Sequence, residues 1–433
     1  MARIWSTELP AHAGESVQLS GWLHRFRQLS LVSFLILRDG RGLAQVVIED
    51  AALIEKLAVL PAESVLRVEG EAVAVLQAPG GIEVRGARVE GVSEAEAPPF
   101  DLHRPTIKAL LPTVLDHAAV ALRHPRRRAL QRVMAASAEG YRAALRAQGF
   151  VEVFTPKIVG SATESGANVF ALDYFGRPAY LAQSPQLYKQ MMVGVFERVF
   201  EAGPVFRAEP SDTPRHLSEY VSLDFEMGFV RDHTEVMDTL TEVLREMVRA
   251  VQAQAADAVE LPRLELPEVP AVIPSIHFSE AQRLLAAELG EDGVVGEPDL
   301  APAHERWLGE WARREHGSEF LFVTGYPSAK RPFYTAPEPG RPEYTNSFDL
   351  LFRGLELVTG GQRLHRHRDY VAALEARGMD PEPFEGYLEA FKHGMPPHGG
   401  CALGLERWVA RLAGVANVRE TTLFPRDVQR LTP

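Results

Sequence analysis

Between Val205 and Met227 the chain reads VFRAEPSDTPRHLSEYVSLDFEM. Arg207 and Glu209 close one β-rich stretch, Arg215 and His216 lie in the polar segment after it, and Tyr220, Asp224 and Glu226 mark a second stretch at even spacing. Alternate residues of a strand face one side, so Arg207 is expected beside Glu209, and Tyr220 in line with Asp224 and Glu226. Positive charge, an acceptor and an aromatic ring on one hairpin suit a nucleotide: guanidinium for phosphate, carboxylate for an amino group, ring for a base. The alternative is a surface hairpin laced by ion pairs. Further on, FRGLELVTGGQR sets Glu356 and Thr359 ahead of two glycines and Arg363. A carboxylate and a hydroxyl so placed can hold Mg²⁺, which takes few protein oxygens and completes its shell with phosphate; the alternative is a strand end with a turn. HGGCALGLERW then brings Gly399, Gly400 and Gly404 before Glu406 and Arg407 at a helix start. Glycine lets a backbone approach a ligand closely, and an arginine at the positive end of a helix strengthens its grip on phosphate. Lys189 is a lone cation in QSPQLYKQ, where a strand gives way to an apolar run.

Those residues need a rigid support, and the patterning supplies one. Residues 1–98 read as about five short, β-branched strands with RDGRG and APGG turns, the signature of a small barrel. A linker or hinge is expected over 99–123, where acidic residues and prolines gather. From 124 to 433 a long amphipathic helix, with Leu130, Val133, Met134, Tyr141 and Leu145 on one face and Gly149 as its cap, precedes strands mixed with helices. Several strands follow one another without a helix between, which predicts an α+β domain on a mostly antiparallel sheet. The helix-rich span 232–315 reads as an insertion.

Composition narrows the class. The 433 residues are 46% hydrophobic and 24% charged, ordinary values for a globular protein of two or three domains. No apolar run nears the roughly 20 residues of a membrane span, and the N-terminus does not read as a signal peptide. Cys401 is the single cysteine, which excludes an internal disulfide and a Cys-rich zinc site and points to the cytoplasm. A net charge of −12 argues against coating DNA, while a local basic stripe would still admit RNA. Neither DNA nor a membrane is an expected partner.

Taken together, FVEVFTPKI with Pro156, FRAE with its loop, and GLER resemble the three motifs of the class II aminoacyl-tRNA synthetases. QSPQLYKQ, the HGG before the third motif and the C-terminal LFPRDVQRLTP narrow the resemblance to the aspartyl-tRNA synthetases of compact archaeal type, over nearly the whole chain. The resemblance implies an OB-fold anticodon-binding barrel joined to a class II catalytic domain. It implies ATP as substrate, held by Arg207, Glu209, Arg215, His216, Leu217, Tyr220, Glu356, Gly404, Leu405, Glu406 and Arg407, with Arg207 and Arg407 catalytic. Relatives often carry Phe at Tyr220 and Ser at Thr359. Glu356 and Thr359 would bind Mg²⁺. Glu164, Gln186, Lys189, Arg207, Asp224, Thr359 and Arg363 would bind L-aspartate, Lys189 separating it from asparagine. A homodimer is implied through the first motif. On the barrel, Phe34 would stack an anticodon base, unless it packs in the core, while Arg25, Arg27 and Gln45 contact phosphates and base edges. His24 and Pro79 resemble the branch that charges both tRNA-Asp and tRNA-Asn, which implies a downstream tRNA-dependent amidotransferase. The alternatives are charging of tRNA-Asp alone, an asparaginyl-tRNA synthetase, and a catalytically inactive RNA-binding paralogue.

Overall fold

The computed structural model describes residues 2–29, 32–160, 169–256 and 264–433. The chain divides into two compact units, 1–125 and 126–433. In the first, β1 (Ser16–Gln28), β2 (Ser33–Arg38), β3 (Leu43–Ile48), β4 (Val65–Ala74) and β5 (Ile82–Ser93) close into a barrel in the order β1-β2-β3-β5-β4. Alternation drives it: Leu35, Leu37, Val46, Ile48, Val68 and Val84 point inward and form one core, while intervening side chains face out. A β carbon at Gly21 would lie 2.2 Å from the Arg38 carbonyl oxygen, so β1 approaches β2 only without a side chain there. The helix Ala51–Val59 joins β3 to β4 and is started by Asp50, whose carboxylate accepts from the Leu53 N–H at 2.7 Å. The segment 99–123, expected as a linker, carries two short helices, Leu111–Asp116 and Ala118–Ala121.

The second unit opens with the helix Pro125–Ala147, which buries Leu130, Val133, Tyr141 and Leu145 as its periodicity requires. Gly149 follows at φ 80°, the left-handed conformation of a helix stop. Three short strands, β7 (Ile158–Val159), β8 (Ala171–Tyr174) and β9 (Arg177–Leu181), form a small separate sheet, and β14 (Pro337–Glu338) pairs with β15 (Arg341–Thr345). The main sheet uses β6 (Val151–Glu152), β10 (Arg198–Phe206), β11 (Glu219–Gly228), β12 (Ser275–His277), β13 (Phe320–Thr324), β16 (Ser347–Phe352), β17 (Leu355–Gln362) and β18 (His398–Gly404). Their order is β12-β13-β16-β17-β18-β11-β10-β6, antiparallel throughout except for the outermost pair at each edge.

The span 232–315 is not wholly an appendage. Its helix Thr234–Gln254 sinks Val236, Leu240, Val243, Leu244 and Met247 into the core shared with Phe225, Val358 and Leu403, and its β12 edges the main sheet. The helices Phe278–Leu289 and Pro302–His316 pack in a satellite cluster with Leu321, Val323 and Leu351. No helix among the described residues is long and apolar enough to cross a membrane.

Candidate active site

The central strands sort their residues by face. On β11, Leu223, Phe225 and Met227 turn to the core, which leaves Tyr220, Ser222, Asp224 and Glu226 on the opposite side. Their cross-strand partners on β18 are small: Ser222 faces Gly404, Asp224 faces Ala402 and Glu226 faces Gly400. A β carbon at Gly400 would stand 2.3 Å from Glu226 Oε2, so glycine makes room for the carboxylate. Gly360 and Gly361, expected as a turn, lie inside β17, where a β carbon at Gly360 would meet the Phe348 ring at 2.4 Å. Their role is close packing of the sheet. Similarly, β10 stops at Phe206, so Arg207 and Glu209 stand on the loop beyond the strand.

Two sites follow one another along this face. The first is an open cleft. Arg207, Glu209, His216, Tyr220, Glu356, Thr359, Gly404 and Arg407 line it, with Arg215, Leu217 and Glu406 completing it. Its ion pairs are long, Arg207 to Glu209 and Arg215 to Glu305 both at 3.9 Å, and His216 Nε2 stands 3.8 Å from Glu209. The Arg207 guanidinium lies 5.7 Å from the centre of the Tyr220 ring. Burial and the nearby Arg407 charge hold His216 below its ordinary pKa, so it is neutral at pH 7. Leu405 does not line the cleft; it packs in the main core, because the amphipathic helix Leu405–Leu412 turns that position inward. Glu406 aims its buried carboxylate at the Val221 N–H, 3.1 Å away, and burial pushes its pKa up to about 7.

Within the cleft the Thr359 hydroxyl donates to Glu356 at 3.3 Å. Asp349, which faces Thr359 across β16 and β17, is bound to Arg331 at 2.8 Å. Burial first, and the Asp349 charge second, push Glu356 up to about 7. A carboxylate raised in this way is short of positive charge, so its donor set fits a hard divalent cation.

The second site is closed. Lys189, one turn into the helix Gln186–Phe196, is 0% exposed. Its Nζ donates to Asp224 at 3.0 Å and to the Cys401 carbonyl at 3.1 Å, and lies 3.4 Å from Glu226. Arg363 grips Glu226 through Nε at 2.8 Å and Nη2 at 3.3 Å, and its Nη2 reaches the Gly400 carbonyl at 2.9 Å. Gln186 bonds both Arg363 and Glu226, and the Ser222 hydroxyl donates to Asp224. Burial raises the Glu226 pKa, yet the Arg363 and Lys189 charges outweigh it and leave Glu226 below the usual carboxylate range. Two cations thus meet two anions, and among the described residues Nη1 of Arg363 has no hydrogen-bond partner. Asp224 and Tyr220 are four strand residues apart, about 13 Å at 3.3 Å per residue, so a molecule reaching from the cleft to the cluster would have nucleotide dimensions.

The structure thus gathers Arg207, Glu209, Arg215, His216, Leu217, Tyr220, Glu356, Thr359, Gly404, Glu406 and Arg407 at the cleft, and Gln186, Lys189, Asp224 and Arg363 at the cluster. Thr359 belongs to the cleft and not to the cluster. Glu164 lies outside the described residues. Sequence reading put Glu226 on the right face without assigning it a role, and missed Ser222, Glu305 and Asp349. The lone charge in the apolar run SFDLLF is the signal that marked Asp349.

On the barrel, Phe34 is not part of the core. It stands on the outer face, opposite Arg27 on β1, whose guanidinium lies 5.6 Å from its ring centre. Arg27 donates to Gln45 at 3.4 Å, and Gln45 donates to Glu83 at 2.9 Å. Arg25 is exposed on the same face, two residues from Arg27. His24 sits at a β-bulge and is buried; burial and then Arg38 push its imidazole down to about 4. Pro79 opens an exposed 3-10 turn with Gly80 and Gly81.

Residues 111–428 match the family described as tRNA synthetases class II (D, K and N), and residues 17–90 match the OB-fold nucleic acid binding domain. The aspartate–tRNA(Asp/Asn) ligase of Thermus thermophilus is 48% identical over 100% of both chains. The aspartate–tRNA(Asp) ligase of Pyrococcus abyssi is 39% identical over 97% of both. Among solved structures, asparaginyl-tRNA synthetase from Pyrococcus horikoshii, complexed with asparaginyl-adenylate, superposes with a TM-score of 0.92 at 32% identity over 100% of both chains. With an OB-fold barrel, an antiparallel catalytic sheet and a charged cleft in place, the chain belongs to the class II tRNA synthetases of the D, K and N family.

Proposed function

We propose that the enzyme is an aspartate–tRNA ligase: it activates L-aspartate with ATP and transfers the aspartyl group to tRNA. The observation that carries the choice of amino acid is Lys189, a fully buried cation beside Arg363. Fold likeness alone does not select it, since an asparaginyl enzyme superposes closely. Arg363 would meet the substrate's side-chain carboxylate through Nη1, with Lys189 sustaining the local positive potential. Asp224 and Glu226 already balance the two cations, so discrimination rests on the Arg363 guanidinium. A carboxylate gives it a charge-assisted acceptor, asparagine offers a weaker amide oxygen and an NH₂ group that it cannot pair, and a site built for one polar group rejects its analogue by about 10⁴-fold or more.

In the first step an α-carboxylate oxygen of aspartate attacks the α-phosphorus of ATP. The bond to the bridging oxygen breaks and pyrophosphate leaves with its electron pair. A ribose hydroxyl at the tRNA 3′ end then attacks the acyl carbon, its proton is lost, and AMP departs. No protein nucleophile is required. Arg207 and Arg407 hold phosphates, Glu209 accepts from the adenine amino group and Tyr220 stacks on the base, so catalysis rests on positioning and charge neutralisation. Glu356 and Thr359, with Asp349 behind them, would hold Mg²⁺, which neutralises phosphate charge when bound.

The barrel face of Arg25, Arg27, Phe34 and Gln45 would bind the anticodon, with Phe34 as stacking platform. His24 and Pro79 favour acceptance of both tRNA-Asp and tRNA-Asn. The relatives carry both kinds of name, so similarity does not decide this. Dual charging would require an amidotransferase downstream. A homodimer is supported by apolar residues left exposed at the edge strand, Val151 and Phe154, the latter 84% exposed. The cytoplasmic location expected from the single cysteine belongs to the same proposal. Parallel charging of tRNA-Asp and tRNA-Asn with labelled aspartate, and with labelled asparagine as control, tests it. Aspartate on both tRNAs is expected; asparagine on tRNA-Asn would overturn the amino-acid assignment, and aspartate on tRNA-Asp alone would overturn dual charging.

A further inference from the structure

Behind the closed cluster lies a second polar group that the chemistry does not use. Gln190 follows Lys189 on the same helix and is 0% exposed. The Tyr370 hydroxyl, equally buried, lies 3.0 Å from its side-chain amide, and the Tyr387 hydroxyl also contacts that amide. Tyr370 makes one more bond, to the backbone carbonyl of Leu364 at 2.7 Å. Leu364 follows Arg363. A phenol has one proton to give. Its two acceptors are the Leu364 carbonyl, at the shorter distance, and Gln190 Oε1, so the hydroxyl bridges them with its single proton shared between both. The Arg363 segment is pinned from other sides as well: the Arg363 N–H donates to the His398 carbonyl at 2.8 Å and the Leu364 N–H to the Tyr334 carbonyl at 2.8 Å. One hydroxyl therefore ties the residue after Lys189 to the residue after Arg363, although the two lie far apart in the chain.

From this juxtaposition we infer that Tyr370 and Gln190 are positioning residues that set the spacing between Lys189 and Arg363, and through it the affinity and selectivity for the amino acid; the inference rests on the proposed aspartate reading. Neither residue touches the substrate. Arg363 has a long, multiply rotatable side chain, so a shift of its backbone moves Nη1 relative to Lys189, and a fixed pair of cations becomes a variable one. The bland account is that Tyr370 only packs, since its ring sits in an aromatic cluster with Phe333, Phe384, Tyr387 and Phe391. The two accounts separate experimentally because Tyr370→Phe removes the hydroxyl and keeps the ring.

The experiment is steady-state pyrophosphate exchange on the full chain with aspartate, asparagine and ATP varied separately, accompanied by thermal melts. Tyr370→Phe and Gln190→Leu are each expected to raise KM for aspartate about tenfold, the effect of losing one well-placed buried hydrogen bond. KM for ATP should stay within about twofold, the preference for aspartate over asparagine should narrow, and the double variant should be little worse than either single one, because both break the same link. Phe384→Leu loosens the aromatic cluster without touching the link; it should lower the melting temperature and leave KM for aspartate in place. An unchanged KM for aspartate in folded Tyr370→Phe, or an equal rise in Phe384→Leu, would overturn the inference. If Gln190→Leu does not fold, Tyr370→Phe decides alone. A wild type without aspartate-dependent exchange would overturn the aspartate reading and this inference with it, whereas an active wild type beside unchanged variants would overturn the inference only.

Discussion

The cleft and the closed cluster share one strand face, yet they treat charge in opposite ways. In the cleft, the ion pairs of Arg207 and Arg215 stretch to 3.9 Å and Arg207 is 41% exposed. In the cluster, the two cations and two carboxylates are at most 7% exposed and meet at 2.8–3.4 Å. A part-exposed arginine can be drawn onto a polyanionic ligand without leaving a desolvated charge behind. A buried lysine between fixed carboxylates cannot move, because an uncompensated charge there costs several kcal/mol. The open region is therefore suited to grip phosphates of any nucleotide. The closed one is suited to judge the sign of a small side chain. In the proposed reading, affinity and selectivity are built on one strand by different degrees of burial.

The largest test of this contrast is Lys189→Leu. It leaves a buried carboxylate without its partner, so it should lower stability by about 3–5 kcal/mol and also abolish aspartate-dependent exchange. Denaturant titration and exchange kinetics check both, and normal stability in this variant would break the comparison. Arg407→Ala should do the reverse. Exchange is expected to fall about 10²–10³-fold, while stability, with Arg407 only half-buried, falls by about 1 kcal/mol, well short of the loss in Lys189→Leu.

A smaller effect concerns pH. His398 lies at the cluster, and burial pushes its imidazole down to about 4. Its folded pKa is below the unfolded value near 6.5, so the unfolded chain binds more protons between those limits. Stability is then full above about pH 6.5 and declines as pH falls toward 4. Glu226, held low by its cations, adds a further loss at more acid pH. Unfolding free energies from pH 7 to 4 should show this slope, and His398→Gln should flatten it. The smallest effect is expected from salt. Raising KCl from 50 to 500 mM should weaken ATP binding a few-fold, because the Debye length shortens over that range, and leave KM for aspartate nearly unchanged.

Much of this was legible in the chain itself. Alternation in residues 16–93 and helical spacing in 125–147 announced the barrel and the first helix, since burial of apolar side chains dictates both periods. Arg207, Tyr220, Glu356 and Arg407 stood out by residue type and motif spacing, and the fold gathers them in one cleft. The glycine pairs misled: Gly360 and Gly361 suggest a turn by type, whereas packing against Phe348 and Asn346 places them in a strand. Leu405 was misplaced because the face of a short helix follows from what lies beneath it.

Residue type and strand period thus determined which side chains could do chemistry and which of them share a face. They could not determine compensation, because it depends on residues remote in sequence. Arg363 meets Glu226 from 137 positions away, and Lys189 finds the Cys401 carbonyl from 212. Only the closed sheet brings those groups within hydrogen-bond range, and only burial makes their pairing obligatory. That is why Lys189 read as a lone cation in the chain and stands in the folded protein as the centre of a neutral, buried cluster.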